Sequence, residues 1–123
     1  MISIDSYGWI ERFSDGPKAA RYNRVIDNVP QDQIVTSVVT LYEVYKKVKE
    51  ARGEETALEA VAALSQTRVI PVDQTLSLEA ADYSLDHGLH MSDALIYATA
   101  RQQNAELHTS DEDLKGLKGV VFV

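Results

Sequence analysis

Short apolar runs rich in β-branched residues punctuate the chain, and longer stretches with apolar residues at helical spacing lie between them. The runs are 2–4 (ISI), 34–38 (IVTSV), 68–72 (RVIPV), 105–109 (AELHT) and 120–123 (VVFV). None alternates cleanly between apolar and polar positions, which suits strands covered on both faces. Helical spacing predicts helices over 6–13, 17–28, 40–52, 54–66, 75–87 and 92–104. In 40–52, Leu41, Val44, Tyr45 and Val48 share one face, and Gly53 ends the stretch. Pro17 fits a first-turn position after Asp15-Gly16, and Gly88 closes the fifth helix. Ala94, Leu95, Ala98 and Ala100 make the last helix slim enough for close approach. The alternation predicts an α/β fold, a three-layer sandwich with a five-stranded parallel sheet between helices. No repeat, low-complexity tract or linker divides residues 1–123, so one domain is expected.

Composition narrows the class. The chain is 45% hydrophobic and 25% charged, the balance of a globular protein with a real core. No apolar run approaches the roughly 20 residues of a membrane-spanning helix, and the first residues lack the basic and apolar regions of a signal peptide. With no cysteine there is no disulfide and no thiolate metal site; a reducing cytoplasm fits. A net charge of −7 argues against binding nucleic acid through a broad basic surface. It leaves open a local basic patch, or a site whose carboxylates are neutralised by bound cations.

Ligands of parallel sheets sit at the carboxyl ends of the strands, and Asp5 stands at such an end. Glu43 is expected in the first turn of the helix at 40, Asp93 opens the helix at 92, and Asp111 follows the fourth strand. Each has a purely structural reading. Asp5 or Ser6 can cap a helix. Thr40-Leu41-Tyr42-Glu43 reads as a capping box, and so does Ser110 to Asp113. Asp93 complements a helix dipole. Helices that follow the strands begin at the carboxyl edge, so all four acids are expected at one edge. Two carboxylates ~4 Å apart repel by about 4 kcal/mol at an effective dielectric near 20. A hard divalent cation gives such groups a reason to converge. Oxygen donors without cysteine or ordered histidine spacing point to Mg²⁺ or Mn²⁺ rather than Zn²⁺.

The segments MISIDS, TSVVTLYEV, MSDALIYATA and LHTSDEDL resemble, in order and spacing, the motif blocks of the PIN-domain ribonucleases. Length and the last two blocks resemble the small VapC-type toxins of toxin–antitoxin pairs. The resemblance runs from the first residues to the last strand. It implies a PIN-like five-stranded parallel sheet, Mg²⁺- or Mn²⁺-dependent endonucleolytic cleavage of RNA, inhibition by a cognate antitoxin, and a homodimer. It carries the family's acids onto Asp5, Glu43, Asp93 and Asp111, which serve as metal ligands. Asp5 and Asp93 are expected at the core of the shell, and either one or two ions fit. Ser6, Thr109, Ser110 and Asp113 are accessory candidates. Leu114 stands where the family often has Phe.

Other residues carry blander expectations. Lys46 and Lys47 are three and four residues from Glu43, so they share its helix face and either meet solvent or reach an RNA phosphate. His87 and His90 flank Gly88, where positive charge suits a helix end more than a zinc site. His108 is expected to be packed or at an edge, and Trp9, Ile10 and Phe13 in the core or a subunit interface. Three other readings compete. A phospho-acceptor receiver would use Asp73 after the third strand, yet it needs paired acids after strand one and a Lys after strand five. A haloacid-dehalogenase-type phosphatase wants Asp-x-Asp, where this chain has Asp5-Ser6-Tyr7. A non-catalytic PIN-like binding module would keep the fold without the activity, although all four acids are present.

Overall fold

The computed structural model describes all 123 residues. In chain order the elements are β1 (Ile2–Ile4), α1 (Ser6–Ser14), α2 (Ala19–Ile26), β2 (Ile34–Ser37), α3 (Val38–Arg52), α4 (Glu54–Leu64), β3 (Arg68–Ile70), α5 (Gln74–His87), α6 (Met91–Gln102), β4 (Glu106–Thr109) and β5 (Val120–Phe122). A short 3₁₀ turn, Gln31–Gln33, leads into β2. The strands form one five-stranded sheet in the order β3-β2-β1-β4-β5, and every pairing is parallel. The expected α/β sandwich is therefore what the chain forms.

The two faces of the sheet carry two cores, as the side-chain alternation of strands requires. Ile2 and Ile4 of β1 and Ile34 of β2 join Trp9, Tyr22, Val44, Val48 and Leu64 on the side of α1 to α4. Leu107 of β4 packs on the other side with Leu76, Tyr97 and Leu114, against α5 and α6. Trp9 belongs to the first core and stacks on Phe13, with ring centroids 6.0 Å apart. Gly8 is needed where α1 crosses α2, because a Cβ there would overlap the Tyr22 ring and Ile4. No helix is long and apolar enough to cross a membrane.

Several boundaries differ from the sequence reading, for local reasons. β3 stops at Ile70 because Pro71 has no N–H for the ladder. Pro17 lies in the turn before α2 rather than inside it, and Lys18 is the N-cap. α3 begins at Val38, capped by Ser37, whose hydroxyl accepts the Val39 N–H at 3.1 Å. The capping box expected at Thr40–Glu43 does not exist, and Glu43 sits in the second turn of α3. Ser110 to Asp113 is not a capping box either, since turns rather than a helix follow.

The connections bring the acids to one edge by two routes. α1 and α3 start directly where β1 and β2 end, at the carboxyl edge of the sheet. α6 does not follow a strand. It leads into β4, which starts at the opposite edge, so the amino end of α6, with Asp93, must lie at the carboxyl edge.

Candidate active site

A cavity of about 370 Å³ opens at that edge, and its wall includes Asp5, Ser6, Glu43, Asp93, Ser110 and Asp111. All four acids singled out in the sequence meet there. Each is held differently, and the differences set what each can do.

Asp5 is both a cap and a site residue. It is the N-cap of α1, with Oδ1 accepting the Gly8 N–H at 2.9 Å. Oδ2 accepts the Thr109 hydroxyl at 2.6 Å. Asp5 is only 6% exposed, and burial pushes its carboxyl above the usual range. Hydrogen bonds from Thr109, Gly8, the Ser110 main chain and Tyr22 pull the other way. Beneath it, the Tyr22 hydroxyl and Ser110 Oγ lie 2.7 Å apart, and burial and the Asp5 charge raise the Tyr22 pKa.

Glu43 is clamped by two hydroxyls from distant parts of the chain. Ser6 donates to Oε1 at 2.6 Å and Ser92 donates to Oε2 at 2.8 Å. These contacts join α1, α3 and the start of α6 across the cavity. The structural reading of Glu43 as a capping residue is thus replaced by a tertiary one.

Asp93 lies in the first turn of α6 and is partly buried. Its carboxyl is pushed up to about 6, first by burial, then by the neighbouring Asp111, Glu43 and Asp113. Asp111 and Asp113 share a tight turn: the Asp113 N–H donates to Asp111 Oδ1 at 2.9 Å, and the Asp111 N–H donates to Thr109 Oγ1 at 3.0 Å. Asp93, Asp111 and Asp113 each bring a carboxylate oxygen within 4.8 Å of the other two. Asp113, an accessory residue in the sequence reading, therefore belongs to the tightest cluster. Leu114 follows it and is buried in the second core, so it anchors the turn.

Lys46 and Lys47 are exposed and do not line the cavity; Lys46 lies over the Tyr42 ring at 5.8 Å. The cation that does line it is Lys18, which no local motif marks. His87 stacks on Tyr83 at 6.3 Å, and His90 precedes α6 as its N-cap, so no histidine joins the acid cluster. His108 is packed in β4, where burial lowers its pKa and Nε2 makes no hydrogen bond, with Glu106 Oε1 4.0 Å away.

A PIN domain model matches residues 2–120. The chain belongs to the PIN domain family. No curated protein matches it in sequence. Among solved structures, it is similar to the toxin–antitoxin complex from Klebsiella pneumoniae, at 27% identity and a TM-score of 0.84, over 98% of this chain and 96% of that one. VapC20 of Mycobacterium tuberculosis, a sarcin–ricin-loop-cleaving toxin, aligns at 19% identity and a TM-score of 0.77 over 94% and 92% of the two chains. VapBC2 of Rickettsia felis, bound to a promoter DNA fragment, aligns at 17% identity and a TM-score of 0.71 over 100% and 98%.

In this PIN domain the receiver-like alternative is not favoured. β3 is at the sheet edge, not beside β1 as in the 2-1-3-4-5 order of receivers. Asp73 caps α5 by accepting the Leu76 N–H at 2.8 Å, away from the acid cavity. Tyr7 stands where a phosphatase motif needs its second acid, and its hydroxyl donates to Glu11 at 2.7 Å. The donors at the cavity fit a hard divalent cation: they are all oxygens, and the 4.8 Å span needs little closing to match oxygens about 3–4.5 Å apart around one ion.

Proposed function

We propose that this PIN domain is a Mg²⁺- or Mn²⁺-dependent endoribonuclease acting in the cytoplasm as the toxin of a VapC-type toxin–antitoxin pair. The observation that carries the reading is the convergence of Asp5, Glu43, Asp93, Asp111 and Asp113 at one strand edge with no neutralising salt bridge. The resemblance to toxin structures, one of them a toxin that cleaves the sarcin–ricin loop, supports RNA as the substrate.

Asp93, Asp111 and Asp113 would hold the cation, with Asp5 and Glu43 completing the negative shell. The chemistry that a divalent ion held by these residues would supply is Lewis acidity toward a water and toward the phosphodiester. The chain's own groups do the rest. Thr109 and the Gly8 N–H fix both oxygens of Asp5. Ser6 and Ser92 fix both oxygens of Glu43. Each carboxylate so held keeps lone pairs free to orient an attacking water, and reorganises little when substrate arrives.

The reading extends to the partner. An apolar cavity of about 560 Å³, lined by Val38, Tyr42, Val72, Met91 and Leu95, abuts Glu43, which also lines the acid cavity. A cognate antitoxin would lay an amphipathic segment there and place an Arg among Asp5, Glu43 and Asp93. The toxin itself would form a homodimer.

The test is cleavage of RNA by wild-type protein with Mg²⁺, with Mn²⁺ and in EDTA. Cleavage dependent on the ion and lost in Asp93→Asn supports the reading; cleavage undiminished in EDTA refutes it. For the partner, a double-mutant cycle pairs antitoxin Arg→Ala with Asp93→Asn, and zero coupling leaves only steric blockade.

A further inference from the structure

We infer that Tyr22 is a positioning residue: its hydroxyl braces Asp5 against the turn that carries Asp111 and Asp113, so that the carboxylates are held in register before a cation arrives. The inference rests on the metal half of the reading above and extends it to a residue outside the cavity wall. Tyr22 lies in α2, an element that contributes no acid to the site. Its side chain is fully buried in the first core. Phe would fill that core as well as Tyr does, so packing does not explain the hydroxyl. A buried hydroxyl costs stability unless it is hydrogen-bonded, and this one finds its partners at the acid site. It bonds the Asp5 carboxyl and lies 2.7 Å from Ser110 Oγ. A tyrosine hydroxyl has one proton, so it donates to the Asp5 carboxylate and accepts from Ser110.

The core fixes where that hydroxyl sits. A Cβ at Gly8 would overlap the Tyr22 ring, and the Tyr7 ring meets it edge-on, with centroids 6.3 Å apart. The ring is thus wedged against α1, whose Gly8 N–H holds the other side of Asp5. Toward the cavity, the turn hangs from Asp5 by several bonds. Thr109 Oγ1 donates to Asp5 at 2.6 Å, the Asp111 N–H donates to Thr109 Oγ1 at 3.0 Å, and the Ser110 N–H bonds Asp5 as well. Tyr22 adds a tie from a third element, the α2 helix, to both Asp5 and Ser110. Such a tie matters because Asp93, Asp111 and Asp113 lie within 4.8 Å of one another and repel when no cation is present. Groups that orient metal-binding side chains commonly change metal affinity by about 10–100-fold when they are removed.

The experiment compares wild type, Tyr22→Phe, Ser110→Ala and the double variant. Tyr22→Phe keeps the ring. It leaves Asp5 its Thr109, Gly8 and Ser110 donors, and Ser110 Oγ keeps an acceptor in a Val123 oxygen at 3.2 Å, so the variant should fold. The probe is Mn²⁺ alone, titrated calorimetrically into metal-free protein well below its melting temperature. Melting in EDTA and cleavage of short random-sequence RNAs across a range of Mn²⁺ are measured beside it. The expected result for Tyr22→Phe is a Kd for Mn²⁺ weaker by roughly tenfold, with cleavage lost at low Mn²⁺ and restored by excess. Ser110→Ala should weaken binding too, and the double variant should be little worse than Tyr22→Phe, because both remove one brace. An unchanged Kd in Tyr22→Phe overturns the inference, and so does a lower melting temperature with unchanged Kd. Losses that simply add in the double variant also overturn it. Should Tyr22→Phe not fold, Ser110→Ala decides alone: an unchanged Kd there overturns the inference. If wild type cleaves RNA while the Kd values are alike, only the inference falls. If Tyr22→Phe weakens Mn²⁺ binding but wild type cleaves no RNA, the inference holds and the nuclease reading falls. If wild type binds no Mn²⁺, both fall.

Discussion

Replacing Asp93 by Asn removes one negative charge from the acid cluster while keeping the size of the side chain. The folded state raises the Asp93 carboxyl from 3.8 to about 6. Its contribution to stability is therefore full below pH 4 and is lost as pH rises through 6, where the fold must hold a charge it disfavours. A rise of that size corresponds to at most about 3 kcal/mol at neutral pH. Asp93 is only partly buried, so solvent screening reduces this to about 1–1.5 kcal/mol. In a chain of this length that is a gain of about 4–6 °C in melting temperature. The assay is thermal unfolding of wild type and Asp93→Asn in EDTA at pH 7.5 and again at pH 4. Asn should melt higher at pH 7.5, the gap should close at pH 4, and RNA cleavage should vanish. A variant that melts lower at pH 7.5 would refute the reasoning, because the carboxylate would then be a structural support for α6.

Three further outcomes are expected. Mn²⁺ at about ten times its Kd should raise wild-type stability by roughly 1.4 kcal/mol, and Asp93→Asn should lose most of that shift in the same melting assay. Asp5→Asn retains an acceptor for the Gly8 N–H and should stay folded but inactive, whereas Asp5→Ala removes the α1 cap and should cost a further ~1 kcal/mol in denaturant unfolding. Leu114→Ala should cost about 2–4 kcal/mol, read as a lower denaturation midpoint, because a fully buried side chain next to the site turn is emptied.

The order of elements was legible because the chain marks it locally. Apolar β-branched runs, Gly53 and Gly88 punctuate the sequence where the structure turns, and a parallel sheet follows from the alternation. The start of α3 was not legible. Val38 and Val39 continue a β-branched run, so propensity extends the strand, while the Ser37 hydroxyl begins a helix. That error placed Glu43 in a first turn and suggested a capping box. Its actual partners, Ser6 and Ser92, lie 37 and 49 residues away, and no local pattern reveals such contacts. Asp93 was assigned to the right edge, but by a rule for helices that follow strands; α6 gets there because it precedes β4. Lys18 was invisible because its placement depends on the buried Glu11 and on Gly16 folding over it.

The choice of hydroxyls around the acids has a functional consequence. Asp5 and Glu43 are satisfied by the hydroxyls of Thr109, Tyr22, Ser6 and Ser92 and by main-chain N–H groups, none of which carries charge. A Lys or Arg in those places would stabilise the folded chain more, since a charge-assisted pair is stronger than a hydroxyl contact. It would also cancel the negative potential and fill the lone pairs that a cation needs. Hydroxyl donors orient the carboxylates and leave their charge uncompensated, so the repulsion felt at Asp93 remains available as binding energy for an external cation. The same uncompensated charge would receive either a divalent ion or the guanidinium of an inhibitor. Catalysis and inhibition would then compete for one set of oxygens, and the balance would shift with cation concentration rather than with any rearrangement of the fold.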